Sequence, residues 1–140
     1  MKLFKSLFSK KTKQTVRVVD NDINFYVVNW DKHETDINAL ITEMEEKDAF
    51  SKEYKTTRLP CVIKPEPDNE YDKNAMLVLV KCPKGKTWYT VGYVPRDKCM
   101  EAKRGNKFVN NKTHYWNCRL TYSKATGTKF NVYLAKSQYQ

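Results

Sequence analysis

The sequence predicts a mostly β fold, a small OB-like or SH3-like antiparallel barrel of six or seven strands with two short helices. Strand-like runs recur at short intervals with turn residues between them, only two segments carry a helical signature, and the strand–helix alternation of a parallel sheet is missing. A chain of 140 residues makes one domain, and its 40% hydrophobic and 13% aromatic content furnishes a core that a disordered chain of this charge would lack.

Residues 1–14 stand apart as a basic arm. Leu3, Phe4, Leu7 and Phe8 share one helical stripe among lysines, and Lys10, Lys11 and Lys13 follow without apolar partners. One short apolar stripe binds lipid only marginally, so a frayed arm is expected rather than a membrane contact. The domain spans 15–136, with 137–140 as a tail. Val16, Val18 and Val19 read as a strand, Asp20-Asn21-Asp22 as a turn, and Ile23 to Trp30 as the second arm of a hairpin. Ile37, Leu40, Ile41 and Met44 repeat at i, i+3, i+4 and i+7, which places a helix behind Thr35 and Asp36 as caps and ends it near Asp48. Glu43, Glu45, Glu46 and Asp48 lie toward its C-terminus, where the dipole disfavours acids, and read as a solvated face rather than a metal site.

Thr57 to Lys64 forms a strand with Leu59, Cys61 and Ile63 inward, and Pro60, which lacks a ladder donor, argues for an edge or a bulge. Met76 to Val80 is apolar on both faces, as a central strand must be. Pro83-Lys84-Gly85-Lys86 turns the chain into a strand from Thr87 to Val94. Pro95 then opens a helix with Cys99, Met100 and Ala102 inward and Gly105 as its stop. The last two strands form a hairpin, with Trp116, Cys118, Leu120 and Tyr122 on one face and, after Ala125-Thr126-Gly127, Phe130, Val132 and Leu134 inward. Trp88 and Trp116 read as packing groups.

The chemistry is sparse. His33 and His114 have no sequence-local nucleophile arrangement, and the four glycines form no phosphate loop, so neither an enzyme nor a cofactor is expected. Cys61, Cys82, Cys99 and Cys118 lack Cys-x-x-Cys pairs and histidines at zinc spacing; they read as structural thiols. Asp68, Glu70 and Asp72 begin like a calcium loop, but the turn glycine is missing and the twelfth position is Leu79, so no metal is expected. No stretch approaches the roughly 20 apolar residues that cross a bilayer, and the start is no secretory signal. An intracellular protein, cytoplasmic or in the nucleoid or nucleus, is the expectation.

The segment from Lys64 to Asn74 is more informative. It joins two apolar strands, two prolines stiffen it, and its Asx residues can fold back on their own backbone, making a rigid projecting turn. Pro65-Glu66-Pro67-Asp68-Asn69-Glu70-Tyr71-Asp72-Lys73-Asn74-Ala75-Met76-Leu77-Val78, followed by Val91-Gly92-Tyr93-Val94-Pro95, resembles the two ordered motifs of the HIRAN domain family. The resemblance is compatible with the chain from about Val16 to Ala135. It implies an OB-like barrel that binds DNA, in its best-understood members by capturing a single-stranded 3′ end. It also implies roles: Tyr71 as an aromatic on which a base stacks, Asp72 as the acceptor for the terminal 3′-hydroxyl, Tyr93 as a contact residue after the glycine, and Arg96 as a phosphate contact. Charge alone adds Lys73, Lys98 and Arg119. One segment departs from the pattern: Val28-Asn29-Trp30-Asp31-Lys32 stands where the family often ends its first long strand with glycine, and Asn29 is able to take the left-handed conformation.

The leading expectation is thus a non-enzymatic module that binds single-stranded DNA at a 3′-hydroxyl end. A formal charge of +10 favours polyanions in general. The alternative from another class is a protein-interaction or inhibitory domain whose basic face docks an acidic protein partner.

Overall fold

The computed structural model describes residues 23–125 and 127–137; the expected arm at 1–14, the strand at Val16–Val19 with its turn, Thr126 and the tail from 138 lie outside the described residues. Six strands, β1 (Asn24–Tyr26), β2 (Thr56–Pro65), β3 (Met76–Lys81), β4 (Trp88–Tyr93), β5 (His114–Ser123) and β6 (Gly127–Lys136), form one antiparallel sheet in the order β1-β6-β5-β2-β3-β4. Two α-helices, α1 (Glu34–Glu46) and α2 (Cys99–Asn110), complete a mostly β architecture. The sheet curls into a half-barrel whose ends meet at one residue pair. Val28, just beyond β1, exchanges both backbone hydrogen bonds with Tyr93 at the end of β4, each at 2.9 Å.

That junction explains Gly92. Its φ is +150°, and a Cβ there would lie 2.5 Å from the Val28 carbonyl oxygen, so only a residue without a side chain lets the two edges approach. Between Val78 and Leu79 the β3–β4 register slips by one residue, and this bulge bends β4 toward the junction. On the other side of the seam Asn29 adopts φ 57° and ψ 31°, the left-handed conformation expected of it, and turns the chain from the sheet into the 3-10 turn Trp30–His33.

The core follows the alternation read from the sequence. Leu59, Cys61, Ile63, Met76, Val78 and Val80 are buried, as are Trp116, Cys118, Leu120, Phe130, Val132 and Leu134. The apolar stripe of α1, Ile37, Leu40, Ile41 and Met44, closes one side of it. All four cysteines are free thiols inside this core. Burial pushes the Cys61 and Cys118 thiols far above their usual range.

Six expectations need correction. The strand expected from Ile23 to Trp30 is only three residues long, because after Val27, whose amide still donates to the Phe130 carbonyl of β6 at 3.0 Å, the chain crosses to β4. Asp36 does not cap α1. The helix starts at Glu34, and Asp36 Oδ2 instead accepts the Thr90 amide of the edge strand β4 at 2.9 Å, because an edge amide without a strand partner needs an acceptor. Glu43 is not on a solvated face: its carboxylate accepts the Tyr89 hydroxyl at 2.6 Å and pairs with Lys47 at 2.6 Å. Pro60 sits in a central strand; β3 pairs with β2 only from Cys61 onward, so Pro60 has a ladder neighbour on the β5 side alone. In α2, Met100 is 84% exposed rather than inward, and Gly105 lies within the helix rather than ending it. A Cβ at Gly105 would meet the Trp116 ring at 2.5 Å, and that indole donates to Asn106 Oδ1 at 2.7 Å. The glycine therefore admits a tryptophan against the helix backbone.

Candidate nucleic-acid interface

The loop between β2 and β3 is built from its own Asx chemistry. Asn69 Oδ1 accepts the amides of Tyr71 and Asp72, both at 2.9 Å, and Asp72 Oδ1 accepts the Asn74 amide at 2.9 Å. The base of the loop is closed by the Glu66 amide donating to the Ala75 carbonyl at 2.9 Å. Glu66 Oε1 receives Asn69 Nδ2 at 2.6 Å and the Tyr93 hydroxyl at 2.9 Å. Tyr93 thus ties the loop to the end of β4. Desolvation and its bond to Glu66 raise the Tyr93 pKa, so it remains a neutral donor.

This frame holds Tyr71 outward at 84% exposure, on a backbone that is fixed at its own amide. Beside it the start of α2 and the 3-10 turn Arg96–Lys98 form the opposite wall of a groove of about 390 Å³. Tyr71, Asp72 and Asn74 line the loop side; Arg96, Met100 and Lys103 line the helical side. Asp72 Oδ2 faces Arg96 Nε at 3.4 Å, and Lys103 Nζ donates to Asn74 Oδ1 at 3.4 Å. Cys99 forms the floor; burial, and secondarily the charge of Asp72, raise its pKa, so it stays a thiol at neutral pH.

Chemically the groove offers one aromatic face, one carboxylate and two cations within a rigid frame. An aromatic face stacks on any base, cations neutralise phosphates, and a carboxylate accepts from a hydroxyl while repelling a phosphate in its place. The structure brings Tyr71, Asp72 and Arg96 together at one groove. Lys73 stands exposed on the same loop, outside the groove lining. Tyr93 lies behind the loop, its ring tilted against His33 at 5.8 Å. Lys98 pairs with Glu101 at 3.4 Å, and Arg119 lies on the outer face of β5 over the Tyr133 ring, 4.5 Å from its centroid. Asn74, Met100 and Lys103 were missed. Met100 is four residues beyond Arg96 and Lys103 three beyond Met100 along the helical segment that faces the loop, a spacing that signals a shared face once the loop opposite is known.

His33 and His114 lie apart, the latter against Phe108 at 4.9 Å and within 2.8 Å of Thr113 Oγ1. Among the described residues no three His, Cys, Asp or Glu side chains gather to hold a metal ion, and no helix is long and apolar enough to cross a membrane. No family model, no curated protein and no solved structure matches this chain.

Proposed function

We propose that this protein is a non-enzymatic module that binds single-stranded DNA at a 3′-hydroxyl end through the groove between the β2–β3 loop and α2. The observation that carries the reading is the pairing of an 84%-exposed Tyr71 with Asp72 on one rigid loop, opposite Arg96 and Lys103. The terminal base stacks on Tyr71, the 3′-hydroxyl donates to Asp72 Oδ2, and Arg96 turns from Asp72 to the neighbouring phosphate. The resemblance of the two ordered motifs to those of the HIRAN family supports the same assignment. Fluorescence anisotropy tests it: an oligonucleotide ending in a 3′-hydroxyl binds more tightly than its 3′-phosphate twin. Equal affinities refute end capture, and no binding at low salt refutes the nucleic-acid reading.

A further inference from the structure

The outer side of the sheet carries a second feature that the groove does not use. Cross-strand register aligns Tyr26, Asn131, Arg119 and Arg58 in one row across β1, β6, β5 and β2. Arg58 and Arg119 are thus direct neighbours of like charge, an arrangement that costs stability. Neither has an ion pair among the described residues. The four salt bridges among the described residues all lie on helices and loops. None of the six strands contains a carboxylate, and no Asp or Glu follows Glu101 in the sequence.

Aromatic side chains share this face. Tyr26 is 60% and Tyr115 44% exposed. Tyr133 lies under the Arg119 guanidinium, its hydroxyl accepting Asn117 Nδ2 at 2.8 Å. Both helices pack on the other side, where α1 joins the core and Gly105 of α2 meets Trp116, so among the described residues no element covers the face. A basic surface interleaved with exposed rings fits a chain of phosphates and bases.

A second groove leads from the first toward the β2 edge of this face. Lys103, in the wall of the first, lines this second groove of about 550 Å³ between α2 and β2 together with Lys107, Pro65 and Val62. Val62 and Arg58 lie on the same outer side of β2, four residues or about 13 Å apart. We infer that the outer sheet face, centred on Arg58 and Arg119, holds the part of the strand on the 5′ side of the captured end, reached past Lys103 and Lys107. The inference rests on the proposed reading of the groove for the direction of the strand.

The test is a length series of 3′-hydroxyl oligothymidylates of 4 and 12 nucleotides, bound by the full chain and by an Arg58→Glu/Arg119→Glu double variant. Wild-type affinity rises at least tenfold from the shorter to the longer strand; the double variant loses this gain but keeps its affinity for the 4-mer and its preference over a 3′-phosphate. Tyr115→Ala, which leaves the charges alone, loses part of the gain and guards against a folding artefact. Equal affinity of wild type for both lengths, or a full gain in the double variant, overturns the inference. Tighter binding of a polyglutamate peptide with the same arginine dependence also overturns it, in favour of an acidic protein partner. If wild type ignores the 3′ group while the arginine-dependent gain persists, the end-capture reading fails and the sheet surface stands.

Discussion

Asp72 and Arg96 face one another across the groove at 3.4 Å, and the pair is lopsided. The Arg96 side chain is 83% exposed and that of Asp72 only 24%. Such an exposed ion pair contributes about 0–1 kcal/mol, so the arginine leaves it for a phosphate at little cost. Asp72 cannot leave, because its other oxygen holds the Asn74 amide. The acid is the fixed element of the site and the base the mobile one.

Asp72→Asn separates the two jobs of this side chain. Its amide oxygen still accepts the Asn74 amide, so the turn survives and thermal stability changes by less than about 1 kcal/mol. The negative charge that excludes a terminal phosphate is gone. The ratio of affinities for 3′-hydroxyl and 3′-phosphate strands, measured by anisotropy, falls close to one.

Tyr71→Ala removes an exposed ring that contacts no core residue. Folding stability is unchanged, whereas strand binding weakens by about 1–3 kcal/mol, the worth of one stacked base. Titration of the oligonucleotide beside a urea denaturation curve reads both quantities. Retained affinity would remove the ring from the interface.

Gly105→Ala sets two effects of opposite sign against each other. Alanine in a helix interior gains about 1 kcal/mol over glycine. The new methyl meets the Trp116 ring at 2.5 Å, and the indole, bonded to Asn106, has no free direction in which to yield. Overpacking of this kind costs about 1–3 kcal/mol, so the variant is destabilised by up to about 2 kcal/mol net in urea denaturation.

Tyr89→Phe reports on the bond that fastens α1 to β4. The bond to Glu43 raises the Tyr89 pKa from 10.0 to about 12, and its stabilisation is therefore full below pH 10 and is lost as pH rises toward 12. Glu43 is shifted the other way, lowered from 4.5 by its bonds to Lys47 and Tyr89, so its contribution holds above pH 4.5 and is lost as pH falls through the depressed value. The variant is less stable by about 1 kcal/mol at neutral pH. Its deficit closes between pH 10 and 12, which equilibrium unfolding at stepped pH measures. A deficit that stays constant to pH 12 would contradict the assignment.

How much was legible in the sequence differs from element to element. The alternation from Trp116 to Tyr122 and from Phe130 to Leu134 named the buried face of the closing hairpin, and the α1 stripe named its core side, because one-sided burial imposes a period of two or of 3.6 on the residues themselves. The β2–β3 loop was equally readable: its Asx bonds span two or three residues and need nothing beyond the loop. Asn29 was anticipated for the same local reason.

The misreadings share a different cause. Asp36, Glu43 and Gly105 each obeyed a local rule of capping, exposure or helix termination, and each was claimed by a group far away in sequence: the Thr90 amide, the Tyr89 hydroxyl and the Trp116 ring. Met100 failed likewise, since the helix turns that position toward the groove instead of the core.

What this amino-acid order determined on its own is therefore the strands β2 to β6, their buried faces and the stiff loop that presents Tyr71 and Asp72, all of which follow from interactions over a few residues. Only the tertiary structure decided that Arg96 and Lys103 stand opposite that loop, that the sheet closes at Val28 and Tyr93, and that Arg58 and Arg119 share an acid-free face. Those juxtapositions depend on register and curvature, which are set by the packing of the whole core and leave no periodic trace along the chain.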